Sequence, residues 1–159
     1  MTKTLTQSKL YQQDLNLWFE ETLDCLRSRD LQRLDIDALV EEIEGLAGRD
    51  RREIKSFLKL IFIHALKLCC VNSPNTYNHW ISEIEEFQCQ LSEALEQSPS
   101  LKGFCLDSIA EAYTKALVKV RMSYPNETFS EDNPFPVDLN LLLDSPFWES
   151  YNGALLSNP

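Results

Sequence analysis

The sequence predicts an all-α protein, a bundle of four main helices with a long second helix and a proline-rich C-terminal strap. Three observations lead to this fold class. Apolar residues recur at steps of three and four over long stretches, which is the period of amphipathic helices. No stretch alternates apolar and polar residues in the manner of a half-buried strand. Finally, five of the seven prolines lie after residue 124.

The first predicted helix runs from Lys9 to Arg29. Its apolar residues keep the helical step through this range, and residues 1–8 before it are expected to be frayed. A short link follows and ends at Asp35, a residue type that caps helix starts. The apolar positions of the first helix are Leu10, Tyr11, Leu15, Trp18, Phe19, Thr22, Leu23 and Leu26.

The second predicted helix starts at Asp35 and is the longest. Its apolar phase hardly slips between the two halves, so we favour one long helix that can bend near Gly45 and Gly48. A break at residues 48–50 is the alternative. Acidic residues crowd the early turns and basic residues follow, an order that suits the helix dipole. The apolar positions are Ile36, Leu39, Val40, Ile43, Leu46, Ala47, Ile54, Phe57, Leu58, Ile61, Phe62, Ala65, Leu66 and Cys69.

Pro74 and its turn-forming neighbours end the second helix. The third helix is marked by apolar residues from Trp80 to Leu95, and the fourth by those from Leu101 to Val120. Residues 125–159 form the strap, which we expect to pack across the bundle with one short helix near Val137–Leu143. Its aromatic residues argue against disorder, and they are Phe129, Phe135, Phe147 and Trp148. A chain of 159 residues is expected to fold as a single domain over 1–159.

The charge of the chain excludes several classes of partner. Fifteen Lys and Arg against 25 Asp and Glu give a net charge of −10, which repels phosphate backbones and anionic lipid. We therefore expect neither nucleic acid nor a membrane as partner. The longest apolar run, 58–71, contains Lys59, His64 and Lys67 and is too short to span a bilayer. No signal-peptide core is evident, and five scattered cysteines indicate a reducing compartment, so the protein is expected in the cytoplasm.

The segment HALKLCCVNSPNTYNHW contains both histidines beside a cysteine pair. On a helix, His64 and Cys69 lie about 140° apart, and His64 and Cys70 about 120° apart, so neither pair can share a tetrahedral zinc. A carboxylate-bridged di-iron site needs Glu three residues before His. Ile61 and Thr76 occupy those positions, so this segment predicts neither a structural zinc nor a di-iron cofactor.

The sharper candidate site is the segment VEEIEGL, residues 40–46. If Glu42 or Glu44 borders the core, it needs a partner such as His64 or Lys67, because an unpaired buried carboxylate is costly. Glu42, Glu44, His64 and Lys67 are therefore the catalytic candidates. A glutamate and the histidine would form a general acid/base pair, with the lysine amine beside them. Glu42, Glu44 and His64 are the candidate ligands of a divalent cation. The alternative is a solvated acidic helix face.

Two functions follow from these alternatives. The leading hypothesis is a non-enzymatic interaction protein that binds a protein partner, or a second copy of itself, through a helix face or groove. The alternative is an enzyme or divalent-cation binder built from the Glu/His/Lys cluster. The enzyme hypothesis requires those side chains to converge in a concave pocket. The interaction hypothesis requires an exposed apolar patch of more than a few hundred Å².

Several short motifs resemble a known family. YQQDLNLWFEETLDCLRS, LDIDALVEEIEGL, HALK, SPSL, EAYTKA, ETF and DSPFW together resemble the bacterial domain-of-unknown-function family twenty-nine, abundant in cyanobacteria. The resemblance covers Tyr11 to Trp148 and implies an all-helical fold without a known activity or cofactor. The segment LCCVNSPNTYNHW departs from the aromatic, basic stretch usual there. A site shared by the family would fall on Asp14, Trp18, Glu41, Glu42, Glu44, His64, Lys67 and Trp80.

Overall fold

The computed structural model describes residues 7–144 and 146–151. Within them the protein is all-α, as the sequence predicts, and contains no strand. The α-helices are α1 (Gln7–Gln13), α2 (Leu15–Ser28), α3 (Ile36–Cys70), α4 (Tyr77–Gln97), α5 (Lys102–Ser123) and α6 (Leu139–Asp144). The chain divides into two compact units at Arg49/Asp50, which we call the N-terminal unit and the C-terminal unit. The arrangement of four main helices in one bundle, and a single domain over 1–159, stay predictions.

The prediction of one continuous first helix is wrong, because Asp14 divides this part of the chain into α1 and α2. Asp14 has an extended backbone (φ −148°, ψ 91°), and its Oδ1 accepts a hydrogen bond from the Leu17 N–H at 3.0 Å. Aspartate competes in this way with helical backbone bonds and caps the helix that follows. Residues 1–6 of the expected frayed start lie outside the described residues, and Gln7 and Ser8 already belong to α1.

The helix α3 begins as the sequence predicts. The Asp35 Oδ1 accepts a hydrogen bond from the Ala38 N–H at 3.1 Å, which satisfies one of the free donors at a helix start. The helix then continues unbroken to Cys70, so the favoured single helix is confirmed and the break at 48–50 is wrong. A 3₁₀ turn at Pro74–Thr76 separates α3 from α4, and a second at Pro99–Leu101 separates α4 from α5.

The N-terminal unit has a very small core. Its buried cluster consists of Leu10, Trp18 and Ala38, with Tyr11 and Leu39 partly buried against them. The Trp18 side chain is fully buried, and its ring lies 4.9 Å from that of Tyr11. The single tryptophan therefore supplies most of the apolar burial that holds α1, α2 and the start of α3 together.

The C-terminal unit has an extensive core of 25 buried residues drawn from α3, α4, α5, the strap and α6. The strap packs on this core, as predicted from its aromatic residues. The Phe135 ring stacks on Phe62 at 6.0 Å between centroids, and the Tyr113 hydroxyl donates to the Ser130 carbonyl at 2.7 Å. The short helix predicted near Val137–Leu143 is α6. Residues 145 and 152–159 of the strap lie outside the described residues.

Candidate functional site

The four candidate side chains are divided between the two units. Glu42 and Glu44 lie in the N-terminal unit, while His64 and Lys67 lie in the C-terminal unit. Each pair has its own surroundings, and each is described below within its unit.

Glu42 makes a structural contact within the N-terminal unit. Its Oε1 accepts a hydrogen bond from the Tyr11 hydroxyl at 2.9 Å. This bond, with the burial and the negative charges of Glu41 and Glu42, raises the pKa of Tyr11 to about 12. Glu44, two residues further along α3, is exposed to solvent. The hydrogen bond of Glu42 therefore connects α1 to α3.

His64 is half-buried in the C-terminal unit. Its ring stacks on Phe87 with 6.1 Å between centroids, and its buried Nδ1 has no hydrogen-bond partner among the described residues. Burial, and then the positive charge of Lys67, lower the pKa of His64 to about 4. The ring is therefore neutral at pH 7, and it is a weak general base there because catalytic bases work best with a pKa near the operating pH.

Lys67 lies over an aromatic ring. Its Nζ is 5.7 Å from the centroid of the Trp80 ring, a distance typical of a cation–π contact. Burial lowers the pKa of Lys67, and the positive charge of Lys119 lowers it further, whereas the negative charge of Glu83 opposes both. The amine thus contributes to packing on α4.

The adjacent cysteines border an open cleft in the C-terminal unit. The cleft has a volume of about 640 Å³, and Cys69, Cys70, Tyr77, Ile81 and Glu127 lie among its walls. Burial raises the pKa of Cys69 to about 12 and also raises the pKa of Cys70. Both thiols are therefore protonated at neutral pH and are poor nucleophiles.

Among residues 7–144 and 146–151, no three or more His, Cys, Asp or Glu side chains are arranged to hold a metal ion. A divalent cation on Glu42, Glu44 and His64 stays a prediction. In the same part of the chain, no helix combines the length and the apolar character needed to cross a bilayer.

The structure reveals a different candidate, which is exposed apolar surface in the N-terminal unit. Ten of the fifteen exposed large apolar side chains among the described residues precede Arg49. The sequence assigns most of these positions to the apolar stripes of the predicted helices, because their spacing is helical. Spacing alone cannot distinguish a buried stripe from one that has no neighbour within the chain.

Eight of these ten side chains form two stripes at helical spacing. The stripe on α2 covers an arc of about 80° and the stripe on α3 an arc of about 120°, at 100° per residue. We call them together the N-terminal apolar surface. It consists of Leu15, Phe19, Leu23 and Leu26 on α2, and Ile36, Val40, Ile43 and Leu46 on α3.

The two stripes together expose a considerable apolar area. The eight side chains are each 39–57 % exposed. At about 60–120 Å² per whole side chain, they leave roughly 200–500 Å² of apolar area in water. The largest apolar patch on a typical monomeric protein is roughly 300–600 Å² and is often functional, and the summed area of the two stripes overlaps this range.

Comparison with known proteins gives a family but no characterised relative. No curated protein and no solved structure matches this chain. One family model matches residues 10–148, which is most of the chain. These residues include both stripes of the N-terminal apolar surface and the core of the C-terminal unit up to Trp148. The chain belongs to the family described as Domain of unknown function DUF29.

Proposed function

We propose that this chain is a non-enzymatic protein-interaction domain of the bacterial cytoplasm that binds its partner through the N-terminal apolar surface. The observation that supports this proposal is the concentration of exposed apolar side chains in the unit with the smaller core. Leaving roughly 200–500 Å² of apolar surface in water costs free energy that a bound partner recovers.

The surroundings of the polar candidates favour the same conclusion. Glu42 is bonded to Tyr11, and His64 is stacked on Phe87 with its pKa lowered to about 4. Both side chains therefore have structural contacts, and the lowered pKa of His64 makes its ring a poor general base at neutral pH.

The test is a quantitative pull-down from the cells that produce this protein. We compare the tagged parent with Ile43→Asp, which places a charge in the N-terminal apolar surface. The matched control is Val118→Asp on α5, because Ile43 is 57 % exposed and Val118 is 56 % exposed. Circular dichroism first establishes that both variants are folded.

We expect certain cellular proteins to be retained equally by the parent and by Val118→Asp, and about tenfold less by Ile43→Asp. The reason is that a buried charge without a partner opposes binding. Equal retention by all three proteins would contradict the proposal, because it would show that the N-terminal apolar surface takes no part in binding.

A further inference from the structure

We propose that the partner segment bound by the N-terminal apolar surface is a basic amphipathic helix of another protein. This inference rests on the proposed function and adds the chemistry of the occupant. Three properties of the described residues lead to it: the spacing of the stripes, the charge beside them and the apolar area that they expose.

The spacing of the stripes fits a helix. Ile36, Val40, Ile43 and Leu46 follow one another at steps of four, three and three, so the stripe on α3 runs for about three turns, or about 15 Å. A second helix packs along such a stripe by inserting its own residues at the same steps into the spaces between them. The partner helix is therefore expected to carry large apolar residues at positions i, i+3 or i+4, and i+7.

The charge beside the α3 stripe is entirely negative. Five acidic residues lie between 35 and 44, and residues 34–48 contain no lysine or arginine. Around the helix axis, with Ile36 at 0°, the stripe extends from about 280° through 0° to about 40°. Glu44 lies at about 80° and Asp37 at about 100° on the same scale. Both carboxylates belong to exposed residues, so basic side chains beside the apolar residues of a bound helix meet complementary charge.

The same charge disfavours a second copy of this chain as the occupant. Residues 7–49 contain ten acidic and five basic residues, a net charge of −5. Two such units facing each other place like charges together, which opposes association. A basic helix is attracted by the same charge and associates faster as the salt concentration falls.

The apolar area also favours a helix over a homodimer. A permanent homodimer buries at least about 1,000 Å² on each subunit, of which about two-thirds is apolar. The N-terminal apolar surface exposes roughly 200–500 Å², which is less than that requirement. One amphipathic helix of three to four turns needs no larger apolar surface than this.

The test measures the binding of two synthetic peptides to the intact protein by fluorescence anisotropy. The first is a labelled helix of about twenty residues with leucine at i, i+3, i+7 and i+10 and lysine at the flanking positions. The second has the same leucines with glutamate in place of every lysine. We expect a dissociation constant of roughly 1–50 µM for the lysine peptide and at least about tenfold weaker binding of the glutamate peptide. Equal binding of the two peptides would overturn the inference.

Variants locate the bound peptide and separate local from general charge effects. Ile43→Asp is expected to abolish binding of the lysine peptide, while Val118→Asp keeps it. The double variant Asp37→Asn/Glu44→Gln is expected to weaken binding about threefold to tenfold, because it neutralises the exposed carboxylates beside the stripe. The charge-matched control Glu85→Gln/Glu96→Gln neutralises two exposed carboxylates on α4. Equal weakening by both double variants would show that only net charge matters and would overturn the inference.

Two further outcomes separate this inference from the proposed function. If the pull-down depends on Ile43 but the lysine peptide does not bind, the result would support the proposed interaction domain and contradict the basic helix as its occupant. If neither the pull-down nor the peptide depends on Ile43, both proposals are wrong. Sedimentation equilibrium tests the second copy directly: a dimer that Ile43→Asp dissociates would overturn the basic helix, because the surface would then be occupied by this chain itself.

Discussion

The two units of this chain have similar apolar periodicity but very different cores. The C-terminal unit buries 25 residues in one cluster, whereas the buried cluster of the N-terminal unit contains three. In the C-terminal unit, α3 has α4, α5 and the strap to pack against. The difference shows that helical spacing determines which face of a helix is apolar, while the number of neighbouring elements determines whether that face is buried.

The largest expected effect is truncation of the core in the C-terminal unit. Phe62 is fully buried and contacts the rings of Tyr113 and Phe135. Phe62→Ala is expected to lower the free energy of unfolding by about 3–5 kcal/mol, because it removes a whole ring and leaves a cavity. Urea denaturation measures the change. The control is Met122→Ala, at a residue 76 % exposed, and a similar loss for both variants would show that the core is not where we place it.

The next effect concerns the small core of the N-terminal unit. Trp18 is fully buried, whereas its neighbour Phe19 is 39 % exposed. Trp18→Ala is expected to accelerate amide hydrogen exchange in α1 and α2 by at least about tenfold, because few other buried contacts oppose local opening. Phe19→Ala is expected to change the exchange rates much less. Equal rates in the two variants would mean that Trp18 does not hold this unit together.

A smaller effect is expected where the strap is hydrogen-bonded to α5. The Tyr113 hydroxyl donates to the carbonyl of Ser130 at 2.7 Å and also lies 3.3 Å from that of Asp132. Tyr113→Phe keeps the ring and removes the hydroxyl, so we expect a loss of about 1–2 kcal/mol in the free energy of unfolding. Urea denaturation again provides the measurement. An unchanged midpoint would show that the hydroxyl contributes nothing to holding the strap.

The smallest effect is a dependence on pH that originates at His64. Its pKa is about 4 in the folded protein and about 6.5 in an unfolded chain. Between these values the unfolded state binds a proton that the folded state does not, so the parent loses stability as the pH falls from about 6.5 towards 4. Above pH 6.5 both states are neutral and the contribution is constant.

The matched variant for this prediction is His64→Phe, which keeps a ring beside Phe87 and removes the unpaired Nδ1. The parent is expected to lose stability relative to His64→Phe on acidification, by less than about 1.4 kcal/mol per pH unit, the slope of one full proton. Thermal unfolding of the two proteins between pH 7 and pH 6 gives the difference, which is expected to stay below about 1 kcal/mol over this range. A difference that does not change with pH would contradict a neutral, half-buried His64.

Much of the fold could be predicted from the sequence because local signals determine it. The cap at Asp35, the stop at Pro74 and the continuous helix through Gly45 all follow from the chemistry of neighbouring residues. The break at Asp14 could not be predicted in the same way. An aspartate at this position fits both an uninterrupted apolar period and a cap, and only packing in three dimensions selects the cap.

The candidate site was harder to predict for a related reason. Glu42 and His64 are candidates because a buried carboxylate needs a partner. In the structure, Glu42 is bonded to Tyr11 and the His64 ring stacks on Phe87. Nothing in the spacing of Val40 or Ile43 indicates that these side chains are exposed. The one sequence signal beside them is the acidic charge of residues 35–44, which also suits the dipole at the start of α3.

The most direct test of the account is hydrogen–deuterium exchange of the intact protein with and without the lysine–leucine peptide. We expect slower exchange between residues 15 and 46 when the peptide is bound, because a covered apolar surface stabilises the N-terminal unit against opening. Exchange in α4 and α5 is expected to stay the same. Slower exchange confined to α4 and α5, or no change anywhere at a saturating peptide concentration, would contradict the claim that the N-terminal apolar surface is the interaction site.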